Sequence, residues 1–214
     1  MMKDVIILGV DIHAIEMGHI IERAGRYHLL GYIMQDGFSG SMGIGDLFGS
    51  FPILGDKNDL DKYPDVGFIP MHVWKDMDAA GAASAACVEQ WISLIDPAAF
   101  VSLTANIGKG CVVYPNCFIG ANAKLGSKIF MLSGAIVNHD CDISDNVTIT
   151  SGVMLAGGVK VGKGAYLGQG CNVRQNLVVG ENAMVGMGAV VTKDIPANAT
   201  YIGNPAKPYA SRAR

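Results

Sequence analysis

Several things are scarce in this sequence, and each scarcity excludes a class. Aromatic residues are 7% of the 214, so any core is built mainly from aliphatic and small side chains. No run approaches the ~18 apolar residues of a membrane helix, so no membrane insertion is expected. A formal net charge of −3 offers no broad basic surface, and nucleic acid is not expected as a partner. The five cysteines form no CxxC pair, so neither a zinc site nor a disulfide framework is indicated. The apolar run Val5–Val10 is short and closed by Asp11. It reads as a buried strand rather than a signal-peptide core, and the chain is read as cytoplasmic. What the sequence has in excess is glycine, 28 residues, and that excess needs a structural reason.

The reason is a repeat. Stepping by six from Ile95 through Val101, Ile107 and Val113 to Val191 meets an aliphatic residue or Met131 at every step. The fourth residue after each is small or aliphatic too, from Ala99 to Ile195. Neither a 3.6-residue helix nor a period-2 strand produces this pattern. Two inward positions per hexad fit a triangular solenoid, in which three hexads make one coil and coils bury their apolar stripes on one another. Glycine often follows the aliphatic position (Gly108, Gly120, Gly126), and Asn122, Asn146 and Asn182 recur near the corners. Both residue types tolerate the positive φ that tight corners need. Cys111, Cys117, Cys141 and Cys171 fall on the small inward position, where a free cysteine is a small hydrophobe rather than a nucleophile.

Residues 1–78 read as a small βαβ domain, with strands over 4–10, 28–35 and 66–69 and a helix over 12–24 capped by Asp11. Asp36-Gly37 ends the second strand, and residues 37–50 read as a Gly/Ser-rich loop. The first turn, Gly9-Val10-Asp11-Ile12-His13, lacks GxGxxG, so a dinucleotide site is poorly supported. Residues 79–94 read as a helical connection, part of a stretch beginning near Trp74. The solenoid spans 95–196, and 197–214 form a cap, because Gly203-Asn204-Pro205-Ala206-Lys207-Pro208 cannot continue a regular coil.

Only one histidine lies in the repeat. His139 sits with Asn138 and Asp140 between the inward residues Val137 and Cys141, on the outer side of a coil. A neutral imidazole can take a proton from an amine or hydroxyl, and a carboxylate such as Asp140 can orient it. The bland alternative is a solvated corner histidine. Metal catalysis on this repeat, as in a γ-class carbonic anhydrase, needs three histidines. His13, His19, His28 and His72 lie outside it, so no metal is expected.

Residues 95–208 resemble the hexapeptide-repeat acyltransferases, in the order of the sialic acid O-acetyltransferase and UDP-4-amino-sugar N-acetyltransferase branch. The matching stretches are Gly134-Ala135-Ile136-Val137-Asn138-His139-Asp140-Cys141, Leu155-Ala156-Gly157-Gly158-Val159, Gly186-Met187-Gly188-Ala189-Val190-Val191-Thr192-Lys193-Asp194 and Gly203-Asn204-Pro205-Ala206. The resemblance implies a small α/β (βαβ, Rossmann-like) N-terminal domain followed by a left-handed parallel β-helix. It implies a homotrimer with acetyl-CoA, as co-substrate, in a groove between neighbouring helices. It implies His139 as general base and Asp140 as its acidic partner. Gly157 matches an oxyanion-hole position, and Thr148, Gln169 and Met187 match acetyl-CoA contact positions. Asp11, Ile12, His13, Gln35 and Asp36 match the acceptor-binding end. There the family's Gly-Ala-Gly-Gly-His becomes Gly9-Val10-Asp11-Ile12-His13, and its Gly-Asn after the third strand becomes Pro70-Met71.

Three functions follow as expectations. The first is acetyl transfer to the amino or hydroxyl group of a sugar, with a nucleotide-linked amino sugar of surface-glycan biosynthesis preferred. The second is O-acetylation of a free sugar or other small hydroxyl compound. The third is a non-catalytic solenoid scaffold, which has no need of the His139–Asp140 pair.

Overall fold

In the computed structural model, described for residues 2–34, 42–71 and 89–209, the chain divides into two compact units. The first comprises residues up to 97 with 109–112, and the second 98–108 with 113 onward.

The first unit is an α/β layer. Strand β1 (Lys3–Leu8) leads through the turn at Gly9 into helix α1 (Ile12–Ala24) and back along β2 (Tyr27–Met34). Ala14, Met17, Gly18 and Ile21 recur at helical spacing and form the buried face of α1, the amphipathic pattern that drives such a helix onto a sheet. Gly25, at φ 62°, ends it, its N–H donating to the Ile21 carbonyl. The sheet extends through β3 (Leu47–Phe48), β4 (Phe51–Asp56) and β5 (Gly67–Pro70), in the order β3-β4-β2-β1-β5. All pairings are parallel except the β3–β4 hairpin. Asp96, whose carboxylate is fully buried, pairs with Arg23 of α1 at 3.2 Å.

One sequence expectation fails here. The loop expected over 37–50 contains β3, and β4 follows it unforeseen. The hairpin exists because Phe48 and Phe51 set their rings edge-on against Tyr32 of β2, at 5.5 and 6.4 Å, a contact that no local pattern announces. The expected helical stretch over 74–94 falls largely outside the described residues. Its described end is not α-helical, and Leu94–Ile95 is already a strand.

The second unit is a parallel β-helix. Its faces are stacks of two-residue strands repeating every eighteen residues. One face runs Phe100–Val101, Phe118–Ile119, Ile136–Val137, Met154–Leu155, Asn172–Val173 and Val190–Val191. The next holds Asn106–Ile107, Lys124–Leu125, Asp142–Ile143, Lys160–Val161 and Val178–Val179. The third includes Phe130–Met131, Thr148–Ile149, Tyr166–Leu167 and Met184–Val185. From Cys111 to Ile195, both repeat positions of every hexad are buried. Those of the first coil, Val101, Ala105 and Ile107, are half-buried, since a terminal coil has a neighbour on one side only. Thr200–Ile202 adds a last parallel rung, and Lys207–Pro208 turns back antiparallel across it.

The glycines divide between two jobs: the asparagines expected at corners do hold positive φ, but the glycines directly after the aliphatic position do not. Positive φ occurs at every sixth residue from Gly110 to Gly188, and the slot is filled by Gly, Asn, Lys128 or Asp140. It lies three residues after the aliphatic position, not one. The glycines directly after the aliphatic residue are required by close approach instead. A Cβ on Gly120 would stand 2.7 Å from the His139 backbone nitrogen of the next coil. The inward thiols are inert: burial raises the Cys141 thiol above its ordinary value and pushes Cys171 up to about 12.

Candidate active site

The corner Asn138-His139-Asp140 joins two faces of the β-helix. Asp140 occupies the positive-φ slot at 58°, a conformation that Asp tolerates better than most residues. This turn brings two neighbours in sequence face to face: His139 Nδ1 lies 2.8 Å from Asp140 Oδ2. The other carboxylate oxygen accepts from Asn122 Nδ2 at 3.0 Å, one coil below. Hydrogen bonds from His139 first, and Asn122 second, hold the Asp140 carboxyl below the usual carboxylate range. Its contribution is therefore present above the ordinary carboxylate pKa and is lost only as pH falls through the lowered value. At neutral pH the pair is intact, with Nε2 left for chemistry. Both side chains are exposed.

One coil above, Gly157 carries the histidine ring. A Cβ there would stand 2.5 Å from His139 Cε1 and Nε2, so the imidazole lies against the bare Cα. The Gly158 N–H donates to the His139 carbonyl at 3.0 Å and ties the two corners together. Among the described residues the Gly157 N–H makes no hydrogen bond. It is available beside the imidazole, as an oxyanion donor must be. Beside Asp140 opens a cavity of about 310 Å³ lined by Asn122, Lys124, Asp140, Cys141, Asp142 and Lys160. The sequence reading missed Asn122, Lys124 and Lys160. The signal that finds Asn122 is the eighteen-residue coil itself, which sets it directly below Asp140.

The expected acetyl-CoA positions fall elsewhere. Gln169 and Met187 share the preceding corner on successive coils, linked by the Gly188 N–H to the Gln169 carbonyl at 2.8 Å. That corner and the His139 corner bound opposite edges of one sheet face, the face bearing Ile136, Met154, Asn172 and Val190. Thr148 lies on the face before Gln169. It is buried, its N–H is spent on the Ala165 carbonyl, and its hydroxyl has no partner among the described residues.

At the acceptor-binding end, Asp11 caps α1 by accepting from the N–H groups of His13 and Ala14. Ile12 is exposed, and the His13 ring lies 3.2 Å from Glu16. Gln35 and Asp36 lie outside the described residues. Among those described, no cluster of His, Cys, Asp or Glu could hold a metal, and no helix is long and apolar enough to cross a membrane.

A parallel β-helix with an oriented histidine and an unspent amide at one corner is suited to acyl transfer, and the solved structures it resembles are acyltransferases. The acetyltransferase domain of PglB from Neisseria gonorrhoeae is 27% identical, superposes with a TM-score of 0.85, and matches 97% of this chain and 100% of its own. The same domain in complex with acetyl coenzyme A gives 0.86 over 98% and 100%. A histidine-to-asparagine mutant of perosamine N-acetyltransferase from Caulobacter crescentus, in complex with CoA and GDP-perosamine, is 24% identical with a TM-score of 0.87 over 99% of both chains. No family model matches the sequence, and no curated protein matches it. The likeness is thus to N-acetyltransferases of the β-helix type, without singling out the sialic acid O-acetyltransferase branch.

Proposed function

We propose that this chain transfers an acetyl group from acetyl-CoA to an amino or hydroxyl group of a sugar, with His139 as general base. The observation that carries this is the ring geometry: Nδ1 on Asp140, Nε2 free, and the unspent Gly157 N–H beside it. Nε2 takes the acceptor proton as the nitrogen or oxygen attacks the thioester carbonyl. The Gly157 N–H stabilises the developing oxyanion. The tetrahedral centre then collapses, the C–S bond breaks, and the CoA thiolate recovers the proton from the imidazolium. Asp140 stabilises that imidazolium and keeps the ring in place. The chemistry balances without a covalent enzyme intermediate, and a scaffold would need none of these groups. Dependence on acetyl-CoA fits a cytoplasmic enzyme.

On the acceptor, the likeness to a GDP-perosamine complex supports a nucleotide-linked amino sugar. The filled turn at Asp11 favours the second reading, a free sugar or other small hydroxyl compound. A CoA-release screen over both classes tests the function; no acetyl-dependent CoA release with any sugar would sink it.

Asp140→Asn should separate turn from charge. Asn keeps the positive φ, so the melting temperature should hold while kcat falls by roughly one to two orders of magnitude. Asp140→Ala should in addition lose about 1–2 kcal/mol of stability to backbone strain. Equal kcat for Asp140→Asn and the unaltered enzyme would remove the carboxylate from the mechanism.

The left hand of the coil and a homotrimer belong to the same proposal. Phe100 and Phe118, both exposed, stack with centroids 4.9 Å apart, and exposed Met154 continues their stripe on the face between the two corners. Such a patch marks an interface. A second copy laid along it would turn that face into a groove joining Gln169 and Met187 to His139. Sedimentation should give the trimer mass, and an active monomer would contradict the shared groove.

A further inference from the structure

In an open parallel sheet, phosphate-bearing ligands dock beyond the carboxyl ends of the strands, where successive connections leave in opposite directions. Here that point lies between β1 and β5: the chain passes from β1 through α1 to β2 on one side, and returns to β5 on the other. A helix opening there offers its first N–H groups to an anion. Two of those N–H groups, and the turn glycine's, are already spent. Asp11 Oδ1 accepts from His13 N–H at 2.7 Å and from Ala14 N–H at 3.2 Å. The Gly9 N–H donates to the Ile33 carbonyl at 2.9 Å. The crevice itself is filled by Met71, 3% exposed, whose N–H bonds the Leu8 carbonyl at 3.1 Å. Its side chain lies over Gly9, where an added Cβ would stand 2.9 Å from Met71 Cβ. The His13 ring, at the start of α1, faces Glu16 at 3.2 Å.

We infer that Asp11 and Met71 are specificity-determining residues that close this turn to a nucleoside diphosphate, so that the acceptor is bound without a diphosphate at the α1 N-terminus. The Asp11 carboxylate takes the place of a phosphate on the helix amides and repels a second anion, while Met71 takes the space. This narrows the acceptor of the acetyl-transfer reading, on which it rests only for the word acceptor.

The test is an amide-resolved NMR titration of the full chain with UDP and GDP. In the unaltered protein the His13 and Ala14 amides should stay unmoved at millimolar nucleotide. In Asp11→Gly, where glycine is itself an accepted helix cap, they should shift and the affinity should rise about tenfold. Asp11→Gly with Met71→Ala should raise it further. Asp11→Gly alone preserves the test if the double variant does not fold. Shifts of His13 and Ala14 in the unaltered protein would overturn the inference, as would no gain in either variant. A CoA-release screen on the same samples keeps the two ideas apart. Failure of every acceptor tested to give CoA release refutes acetyl transfer while leaving the closed turn standing.

Discussion

Replacing His139 by alanine should lower kcat by about 10² to 10⁴-fold, the usual worth of a positioned general base, with the KM for acetyl-CoA little changed. The fold should be untouched. The side chain is exposed, and the backbone bond from the Gly158 N–H to the His139 carbonyl stays. The loss should appear in kcat and kcat/KM together, because proton removal matters only in the transition state. Continuous CoA release at saturating acceptor reads it directly. Turnover within a few-fold of the unaltered enzyme would reduce His139 to a solvated corner residue and send the search for the base elsewhere.

Gly157→Ala should cost nearly as much while leaving every catalytic group in the protein. No positive φ is required at Gly157, so alanine fits its backbone. The new methyl, however, would occupy the place of the imidazole, 2.5 Å from both Cε1 and Nε2. The ring must swing away, and the 2.8 Å contact to Asp140 breaks with it. A displacement of about 1 Å in a catalytic group costs on the order of 10²-fold. The neighbouring glycine supplies the control. Gly158 sits at φ 70°, so Gly158→Ala should strain the corner by about 1–2 kcal/mol and show first in the melting temperature. If Gly157→Ala keeps full kcat with an unchanged melting temperature, the ring is not held where the geometry places it.

Much of this site was legible along the chain. The hexad register put Val137 and Cys141 inside, and so put His139 and Asp140 outside. It also dismissed the cysteines, and burial of Cys111, Cys117, Cys141 and Cys171 agrees. Less legible was the division of labour among glycines. A sequence shows where glycine recurs, but not whether a missing side chain serves φ or makes room. Gly120 makes room for the next coil's backbone, and the φ slot of that hexad belongs to Asn122. Asp140 does two jobs, corner and carboxylate, and only its dihedral angle reveals the first. The β3–β4 hairpin was invisible because its reason, the Tyr32 ring, lies on another strand.

The sequence by itself determined the coil. A six-residue period is local, and every hexad repeats the same burial, so the inward residues, the corners and the lone histidine among them follow from register alone. The tertiary structure decided what meets. Residues one coil apart come together only because the stack closes: Gly157 against the His139 ring, and Asn122 against Asp140. At the other end, Met71 reaches Gly9 because β5 lands beside β1, a strand order that no local pattern encodes. Contacts between distant segments depend on how layers dock, and these contacts hold the His139 ring in position and fill the turn.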